Sequence, residues 1–278
     1  MSTMTGNSLR QEVEKNGYVV VPGVVPRQNL NAVVADIFRH TGADPDKRES
    51  WYLPGIISRA GMVEMYQFQS MWDNRQFPAL YDVFRQVMCT EQLWVSLDRA
   101  NMKPPADPRH PEIDDSFIHW DTDTSKYPDI PFRVQGVLAL TDTDDSMGGF
   151  QCVPELYRQL ADWIKRQAAD RHPRKPDLTG YEITKVVMQA GDLVVWSTLL
   201  PHGNGHNLSD RPRLAQYITM SPAREDDDDA RQKRIDSWQR HLPGPGFPGD
   251  ARKNEVLLEP QSATLTALGR KLLGSDRW

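Results

Sequence analysis

Cysteine is scarce in this sequence of 278 residues, and an excess of positive charge is missing. Cys89 and Cys152 are the two cysteines and form no Cys-x-x-Cys pair, which excludes a disulfide framework and a thiolate zinc site. The formal net charge is −5 and Lys and Arg form no stripe, so the electrostatic footprint of a nucleic-acid binder is absent. Any metal must therefore use nitrogen and oxygen ligands, and we expect no nucleic-acid partner.

Long apolar runs are missing as well. The stretch from Tyr18 to Val25 is interrupted by Pro22 and Gly23 and follows no basic segment, which argues against a signal peptide or a membrane span. Hydrophobic residues nevertheless make up 38% of the chain and charged residues 26%, enough apolar material for a buried core. We expect a globular cytoplasmic protein that does not bind membranes, and we leave its oligomeric state open.

The hydrophobic spacing changes character along the chain. Apolar residues recur at helical spacing from Leu30 to Phe38, before Gly42, and again from Pro78 to Met88, which predicts two amphipathic helices. From residue 93 onward alternating and β-rich runs dominate. These runs are Leu93–Lys103, Phe132–Leu140, Thr184–Met188, Asp192–Leu200 and Arg213–Met220.

This pattern predicts a mainly β protein with flanking helices. Antiparallel strands joined by short turns favour a double-stranded β-helix, the jelly roll that cupins also use. The length is compatible with one domain over residues 1–278. We expect a helical N-terminal part over 1–92, a jelly-roll core over 93–222 and a C-terminal helical extension over 223–278.

The motif His119-Trp120-Asp121 is the sharpest local feature. On a strand or at its end, residues i and i+2 point the same way, so His119 and Asp121 can offer an imidazole nitrogen and a carboxylate to one metal. A half-buried histidine with a carboxylate partner has the same spacing. The motif alone leaves both interpretations open.

A second histidine strengthens the metal interpretation. The apolar run before Pro201 delivers His202 into the turn His202-Gly203-Asn204-Gly205, where small neighbours let the ring approach a metal. Two histidines and one carboxylate on one face of an octahedron leave three positions open, as in non-haem iron(II) oxygenases. His206 competes for this role but lies deeper in the loop, so we prefer His202.

An arginine at the start of the last predicted strand suggests that the site also binds a dicarboxylate. A dicarboxylate bound to iron through its 2-oxo acid end needs a partner for its remote carboxylate, and a guanidinium supplies a bidentate, permanently charged one. Arg213 follows His202 by 11 residues on a strand that can return beside it. Taken alone, Arg211 or Arg213 is equally compatible with a surface position.

Together these motifs resemble the phytanoyl-CoA dioxygenase family of Fe(II)/2-oxoglutarate oxygenases. The resemblance runs from Tyr18 to Pro222 and includes Asp98-Arg99-Ala100-Asn101-Met102-Lys103-Pro104 and Gly148-Gly149-Phe150-Gln151-Cys152-Val153-Pro154. It implies a double-stranded β-helix and the cofactors Fe(II), 2-oxoglutarate and O₂, with ascorbate as an aid in vitro. It further implies that His119, Asp121 and His202 hold the iron and that Arg213 binds the 5-carboxylate of 2-oxoglutarate.

Five further residues are weaker candidates. Asn101 and Gln135 lie on the strands before and after the His-x-Asp motif and could contact the 2-oxoglutarate carboxylate nearest the iron, or be satisfied polar groups of a sheet. Trp120, Asp123 and Tyr66 could line the substrate pocket, although aromatic residues are more often part of a core.

The expected reaction is oxidation of an unactivated C–H bond of a small-molecule metabolite, with release of succinate and CO₂. Because Asp121 supplies a carboxylate to the metal, hydroxylation, or a desaturation or cyclisation, is favoured over halogenation. Two alternatives remain at this point. One is a cupin-like hydrolase or isomerase that uses a metal without 2-oxoglutarate. The other is a non-catalytic ligand-binding jelly roll.

Overall fold

The computed structural model describes residues 6–53 and 56–278. Its helices alternate with strands before residue 92 and follow them after residue 222. The α-helices are α1 (Gly6–Asn16), α2 (Arg27–Thr41), α3 (Gln69–Arg75), α4 (Pro78–Met88), α5 (Pro154–Arg158), α6 (Leu160–Arg166), α7 (Asp228–Gln239), α8 (Asn254–Leu258) and α9 (Ala267–Leu273). Three short 3₁₀ helices span Arg48–Trp51, Arg59–Gly61 and Thr124–Lys126.

The strands are short and pair antiparallel throughout the described residues. They are β1 (Tyr18–Val21), β2 (Ile57–Ser58), β3 (Met62–Val63), β4 (Leu93–Val95), β5 (Ala100–Lys103), β6 (Val134–Ala139), β7 (Phe150–Cys152), β8 (Thr184–Lys185), β9 (Leu193–Ser197), β10 (His202–Asn204), β11 (Arg213–Tyr217) and β12 (Met220–Pro222). A large sheet has the order β1-β9-β6-β11-β5-β3-β2 and a small one β10-β7-β8, while β12 pairs with β4. The predicted class, mainly β with flanking helices in a jelly roll, is confirmed.

Several predicted strand boundaries were wrong in detail. The run Leu93–Lys103 is divided between β4 and β5, which belong to different sheets, and Arg213–Met220 is likewise divided between β11 and β12. Only the first two residues of the predicted strand Thr184–Met188 are in β8. Each division occurs where the chain passes from one sheet to another, an event that residue alternation alone does not register.

Helix α2 forms where apolar residues recur on one face. Leu30, Val33 and Ile37 are fully buried and pack in the larger of the two main hydrophobic clusters. Gly42 ends the helix in the left-handed conformation (φ 80°), and its N–H donates to the carbonyl of Phe38, as the predicted glycine stop requires.

Alternation along the central strands separates an outer from an inner face of the large sheet. Leu138 of β6 and Val195 of β9 belong to the cluster shared with the helices. Their neighbours Val137 and Val194 belong to a second cluster, which also contains Phe150 of the small sheet. The inner face of the large sheet therefore packs against the small sheet, and the candidate site lies at this inner side.

Candidate functional site

Backbone pairing fixes the two histidines beside each other. The N–H of His119 donates to the carbonyl of His202 at 2.9 Å, and the N–H of His202 donates to the carbonyl of His119 at 3.0 Å. This reciprocal pair is an isolated antiparallel bridge that places the His119 segment beside β10. It brings the centroids of the two imidazole rings to 4.8 Å from each other. The histidine spacing is thus set by a strand register rather than by flexible side chains.

Glycine is required beside this pairing. A β-carbon at Gly203 would lie 1.9 Å from the carbonyl oxygen of Phe117, far inside contact distance. Because the His119 segment approaches β10 this closely, any larger residue would push the two segments apart. The glycine that follows His202 therefore allows the histidines to pair.

Asp121 completes a compact set of ligand atoms. Its Oδ1 lies 3.2 Å from Nε2 of His119 and its Oδ2 lies 3.4 Å from Nε2 of His202. One ligand atom from each of the three residues falls within 4.8 Å of the others. Neighbouring donors of an octahedral ion with bonds of about 2.1 Å lie about 3 Å apart, so this set fits a single metal ion.

Local contacts set the protonation states of His202 and Asp121 that metal binding requires. Nδ1 of His202 lies 2.9 Å from the carbonyl oxygen of Leu200, a contact that places the proton on Nδ1 and leaves Nε2 as the electron-pair donor. Burial alone raises the pKa of Asp121, but hydrogen bonds and charge from His119 and His202 outweigh it and hold this pKa below its ordinary value. Asp121 is therefore ionised, as a metal ligand must be.

Gln135 on β6 holds the carboxylate in place. Its Nε2 donates to Oδ2 of Asp121 at 2.7 Å, and its own Oε1 is buried without a hydrogen-bond partner among the described residues. The structure thus brings Gln135 to the predicted site, where it contacts a predicted iron ligand directly.

Removing this amide is expected to weaken the metal site. Gln135→Leu should lower Fe(II) affinity about 10- to 100-fold, the usual cost of losing an outer-shell partner of a metal ligand, because Asp121 loses the bond that orients it. Fe(II) titration of the metal-free protein would measure the change, with Gln232→Leu on the exposed face of α7 as the matched control. Unchanged affinity in Gln135→Leu would contradict this role.

A cavity of about 350 Å³ opens beside the three ligands. Its walls come from both sheets, from the β2–β3 region and from the segment after α7. Besides His119, Asp121 and His202 it is lined by Ala60, Met62, Asp98, Arg99, Asp115, Phe117, Gln135, Gly136, Val137, Phe150, Trp196, Gly203, Asn204, Tyr217, Thr219 and Phe247. The volume falls in the usual range for a small-molecule site.

Arg213 lies deeper on the same strand face as a cavity residue. Alternation places Arg213 and Tyr217 of β11 on one face, and Tyr217 lines the cavity. The Nη2 of Arg213 donates to the carbonyl of Gly148 at 3.5 Å. Arg213 is only 3% exposed, and its Nε has no hydrogen-bond partner among the described residues. A buried guanidinium left without a carboxylate partner fits an anionic ligand.

Lys103 is a second buried cation, which sequence reasoning missed. It lies directly opposite Arg213 in the β5–β11 register and is fully buried. Its Nζ donates to the carbonyls of Asp115 and Gly205 and lies 3.4 Å from Asp114. Burial and the charge of Arg213 lower the pKa of Lys103 to about 8. The signal was present, since Lys103 follows Asn101 by two residues and so shares its strand face.

Of two further candidates, the structure places Asn101 beside the cavity and His206 away from the three proposed metal ligands. Asn101 is fully buried and donates to the carbonyl of Ala60 at 2.9 Å, next to the cavity wall. His206 is exposed and pairs with Asp114 at 2.7 Å, outside the cluster of ligand atoms.

The three candidates for substrate contact lie outside the cavity lining. Trp120 is fully buried, stacks edge-on against Trp163 and donates to the carbonyl of Leu199. Asp123 accepts from the N–H of Ser125 as the cap of a 3₁₀ helix. Tyr66 is buried, and its hydroxyl donates to Glu64. The structure places these side chains in packing and capping contacts, and their role in substrate binding stays a prediction.

A jelly roll that presents two histidines and one carboxylate to a single metal position, with an uncompensated arginine deeper in the barrel, has the architecture of 2-oxoglutarate-dependent non-haem iron oxygenases. The sequence matches the phytanoyl-CoA dioxygenase (PhyH) family over residues 13–215, and the chain belongs to this family. It is accordingly an enzyme whose cofactors are iron and 2-oxoglutarate, as the resemblance of its motifs predicted.

Individual relatives are distant. A putative phytanoyl-CoA dioxygenase of Dictyostelium discoideum is 23% identical over 258 residues, covering 75% of this chain and 73% of its own length. Ava biosynthesis cluster protein O of Aspergillus versicolor is 23% identical over 200 residues, covering 65% of this chain and 63% of its own.

Solved structures share the fold at lower identity. A hypothetical protein from Escherichia coli superposes with a TM-score of 0.67 at 16% identity, covering 95% of this chain and 81% of its own. The epimerase SnoN, solved with Fe³⁺, α-ketoglutarate and nogalamycin RO, gives a TM-score of 0.55 at 18% identity, covering 77% of this chain and 82% of its own.

Among the residues that the structure describes, no helix is long and apolar enough to cross a membrane.

Proposed function

We propose that this enzyme hydroxylates an unactivated C–H bond of a small-molecule metabolite. The observation that carries the proposal is the position of the His119, Asp121 and His202 donors on the wall of a cavity of about 350 Å³. A cavity of this size encloses a small molecule beside the metal position. Because Asp121 would occupy a coordination position of the iron with its carboxylate, hydroxylation is favoured over halogenation.

The cofactor-binding roles follow from charge and burial. His119, Asp121 and His202 would hold iron(II), while Gln135 orients Asp121. Arg213 and Lys103 would receive the 5-carboxylate of 2-oxoglutarate, since the two cations lie opposite each other in the barrel. Asn101 keeps a buried Oδ1 without a hydrogen-bond partner among the described residues, which supports a supplementary polar contact to the same ligand.

Iron(II) with bound 2-oxoglutarate supplies the oxidising chemistry: O₂, 2-oxoglutarate and the C–H substrate give the alcohol, succinate and CO₂. The chain's own residues orient the reacting bond and exclude water. The tilted rings of Trp196 and Phe150 have centroids 4.6 Å apart, and Trp196 lies 5.0 Å from the ring of His202, so this side of the site is apolar. We also infer that residues 1–278 act as one domain, because β1 before residue 92 pairs with β9 of the predicted core.

Two measurements test this function. Anaerobic addition of 2-oxoglutarate to the Fe(II) protein should produce a weak visible charge-transfer band, and aerobic incubation with candidate substrates should release succinate. Absence of the band would favour a hydrolase or isomerase of cupin type. A band accompanied by tight ligand binding, but without consumption of 2-oxoglutarate across a broad substrate screen, would favour a binding protein.

Lys103 makes the binding of 2-oxoglutarate depend on pH. With its pKa lowered to about 8, Lys103 is protonated below this pH and loses its charge as the pH rises through it. The affinity should therefore be constant at lower pH and up to about tenfold weaker at pH 9 than at pH 7. Titration of the charge-transfer band at both pH values would measure this.

The variant Lys103→Met provides the control for this dependence. It should bind 2-oxoglutarate more weakly at pH 7 and show a nearly flat profile between pH 7 and pH 9, because Arg213 keeps its charge over this range. A wild-type affinity that does not change with pH, or a variant with the wild-type profile, would contradict the proposed role of Lys103.

A further inference from the structure

A second cavity, which we call the arginine cavity, has a volume of about 580 Å³ and lies where strand β6 begins. Its apolar part includes Trp94 of β4 and Phe132, and three arginines also line it, Arg133, Arg224 and Arg234. Among the described residues, no Asp or Glu lines this cavity, and none of the three proposed iron ligands does. The volume suits a small molecule, and the charge of the lining favours an anion.

Arg234 of α7 is half-buried and lies far from any neutralising charge. Its Nε and Nη2 donate to backbone carbonyls, including that of Val95 at 2.6 Å. Its guanidinium forms no salt bridge with a residue that the structure describes. Burial, together with the charges of Arg75 and Arg224, lowers the pKa of Arg234 to about 9. An anion in the cavity would offset this unfavourable charge.

The other two arginines are exposed. Arg133 forms no salt bridge within the described part of the chain, whereas Nη1 of Arg224 lies 3.1 Å from Oδ2 of Asp227. Arg224 is therefore partly neutralised and counts for less than the others. The charges of Arg133 and Arg234 remain for a ligand.

The acidic run at the start of α7 does not cancel these charges. Glu225 pairs with Arg231 at 2.9 Å, and Asp228 pairs with Arg277 at 2.9 Å. Neither of these arginines lines the arginine cavity. The carboxylates that lie nearest in sequence are thus engaged outside it.

Two hydroxyl groups add neutral donors to the lining. Oγ of Ser96 accepts the backbone N–H of Thr219 at 3.0 Å, and Oγ1 of Thr219 accepts the backbone N–H of Gly136 at 3.2 Å. Neither hydroxyl donates to a described residue, so each keeps its hydrogen for a ligand. Oxyanions accept several hydrogen bonds at once and match guanidinium geometry particularly well.

The arginine cavity adjoins the cavity at the proposed iron ligands. Thr219 lines both of them. The N–H of Thr198 donates to the carbonyl of Arg133 at 3.0 Å, so the pairing of β6 with β9 continues to Arg133. This arginine precedes Gln135 by two residues, or about 7 Å along an extended strand. An anion held by Arg133 can therefore carry an apolar group toward the iron position.

We propose that the arginine cavity is a binding site for an oxyanion of the phosphate or sulfate type, held by Arg133 and Arg234 with a smaller contribution from Arg224. The oxyanion is either a free ion or the charged end of a small molecule whose apolar part enters the neighbouring cavity. This site does not depend on the proposed iron reaction, because none of its arginines is assigned to iron or 2-oxoglutarate.

Inorganic sulfate is the first probe. It would be titrated calorimetrically into the full chain, both metal-free and loaded anaerobically with Fe(II) and 2-oxoglutarate, with NaCl adjusted to hold the ionic strength constant. Sulfate should bind saturably in both states. Absence of saturable binding in the two states would overturn the proposal.

Variants of the two exposed arginines locate the bound ion. Arg133→Gln should lower the affinity for sulfate about fivefold, the upper range for one exposed ion pair, and the double variant with Arg224→Gln should lower it about tenfold or more. Arg240→Gln, which changes an exposed arginine at the end of α7, is the matched control. Wild-type affinity in the folded double variant would overturn the proposal.

The ester 2-phenylethyl sulfate distinguishes the two sources of the oxyanion. If the apolar part enters the neighbouring cavity, the ester should bind more tightly than sulfate and shift the charge-transfer band of the Fe(II) protein with 2-oxoglutarate. An ester that displaces sulfate without moving the band indicates a site for a free ion. Both results support the oxyanion site, whereas an ester that binds no better than 2-phenylethanol and ignores Arg133→Gln would overturn it.

The same samples separate this inference from the proposed function. If sulfate binds but 2-oxoglutarate produces no charge-transfer band, the oxyanion site stands and the proposed function fails. If the band forms but sulfate does not bind, the cofactor assignment stands and the oxyanion site is wrong.

Discussion

Asp121→Asn is expected to lower both Fe(II) affinity and succinate formation by more than about 100-fold, since loss of an outer-shell partner alone costs 10- to 100-fold. The substitution keeps the shape of the side chain and removes its charge. The carboxylate of Asp121 contacts both histidine rings, at 3.2 Å from Nε2 of His119 and 3.4 Å from Nε2 of His202. A neutral amide in this position can neither offset the charge of iron(II) nor complete the two-histidine, one-carboxylate set.

Fe(II) titration and single-turnover succinate assays would measure this effect. The matched control is Asp162→Asn, which removes an exposed carboxylate of α6 that pairs with Lys165 and should leave both quantities unchanged. The melting temperature of the metal-free Asp121→Asn protein should stay close to that of the wild type. A variant that retained iron-dependent turnover would show that the metal lies elsewhere.

The grouping of the proposed iron ligands was predictable in part because the geometry of His119 and Asp121 is local. His119 and Asp121 are separated by two residues, so an extended backbone places both side chains on one side. The same period places Trp120 on the opposite side, where the structure finds it packed against Trp163. The alternation therefore accounts for the position of Trp120 in the structure as well as for the positions of His119 and Asp121.

The contacts of Arg99 at the cavity wall were not predictable from the sequence, because strand register and loop placement decide them. Arg99 meets Glu64 across 35 positions of sequence and Phe247 across a still longer separation. No periodic pattern encodes such contacts; they follow from the pairing of β3 with β5 and from the return of the C-terminal segment. The division of Leu93–Lys103 into β4 and β5 was missed for the same reason.

Strand register also explains why Arg213 was predicted from the sequence as a binding residue and Lys103 was not. Arg213 was recognisable by its spacing from His202, but Lys103 became a partner only when β5 and β11 were aligned. Two cations buried side by side are costly without an anion. Asp114 offsets Lys103 at 3.4 Å, whereas no salt bridge to Arg213 is found in the described residues, which makes Arg213 the side chain that most needs a ligand carboxylate.

Arg213→Met should therefore weaken 2-oxoglutarate binding by at least about 30-fold, the lower range for removing one partner of a buried charge pair, without changing Fe(II) affinity. The melting temperature of the ligand-free protein should stay the same or rise, because an apolar side chain replaces a buried, uncompensated charge. Arg211→Met is the matched control: Arg211 lies two residues earlier, is exposed, and contacts Met147 only loosely. Titration of the charge-transfer band and the KM for 2-oxoglutarate would report the difference. If Arg213→Met kept the wild-type KM while Arg211→Met raised it, the anion would be bound at the surface and the barrel interior would lose its assigned role.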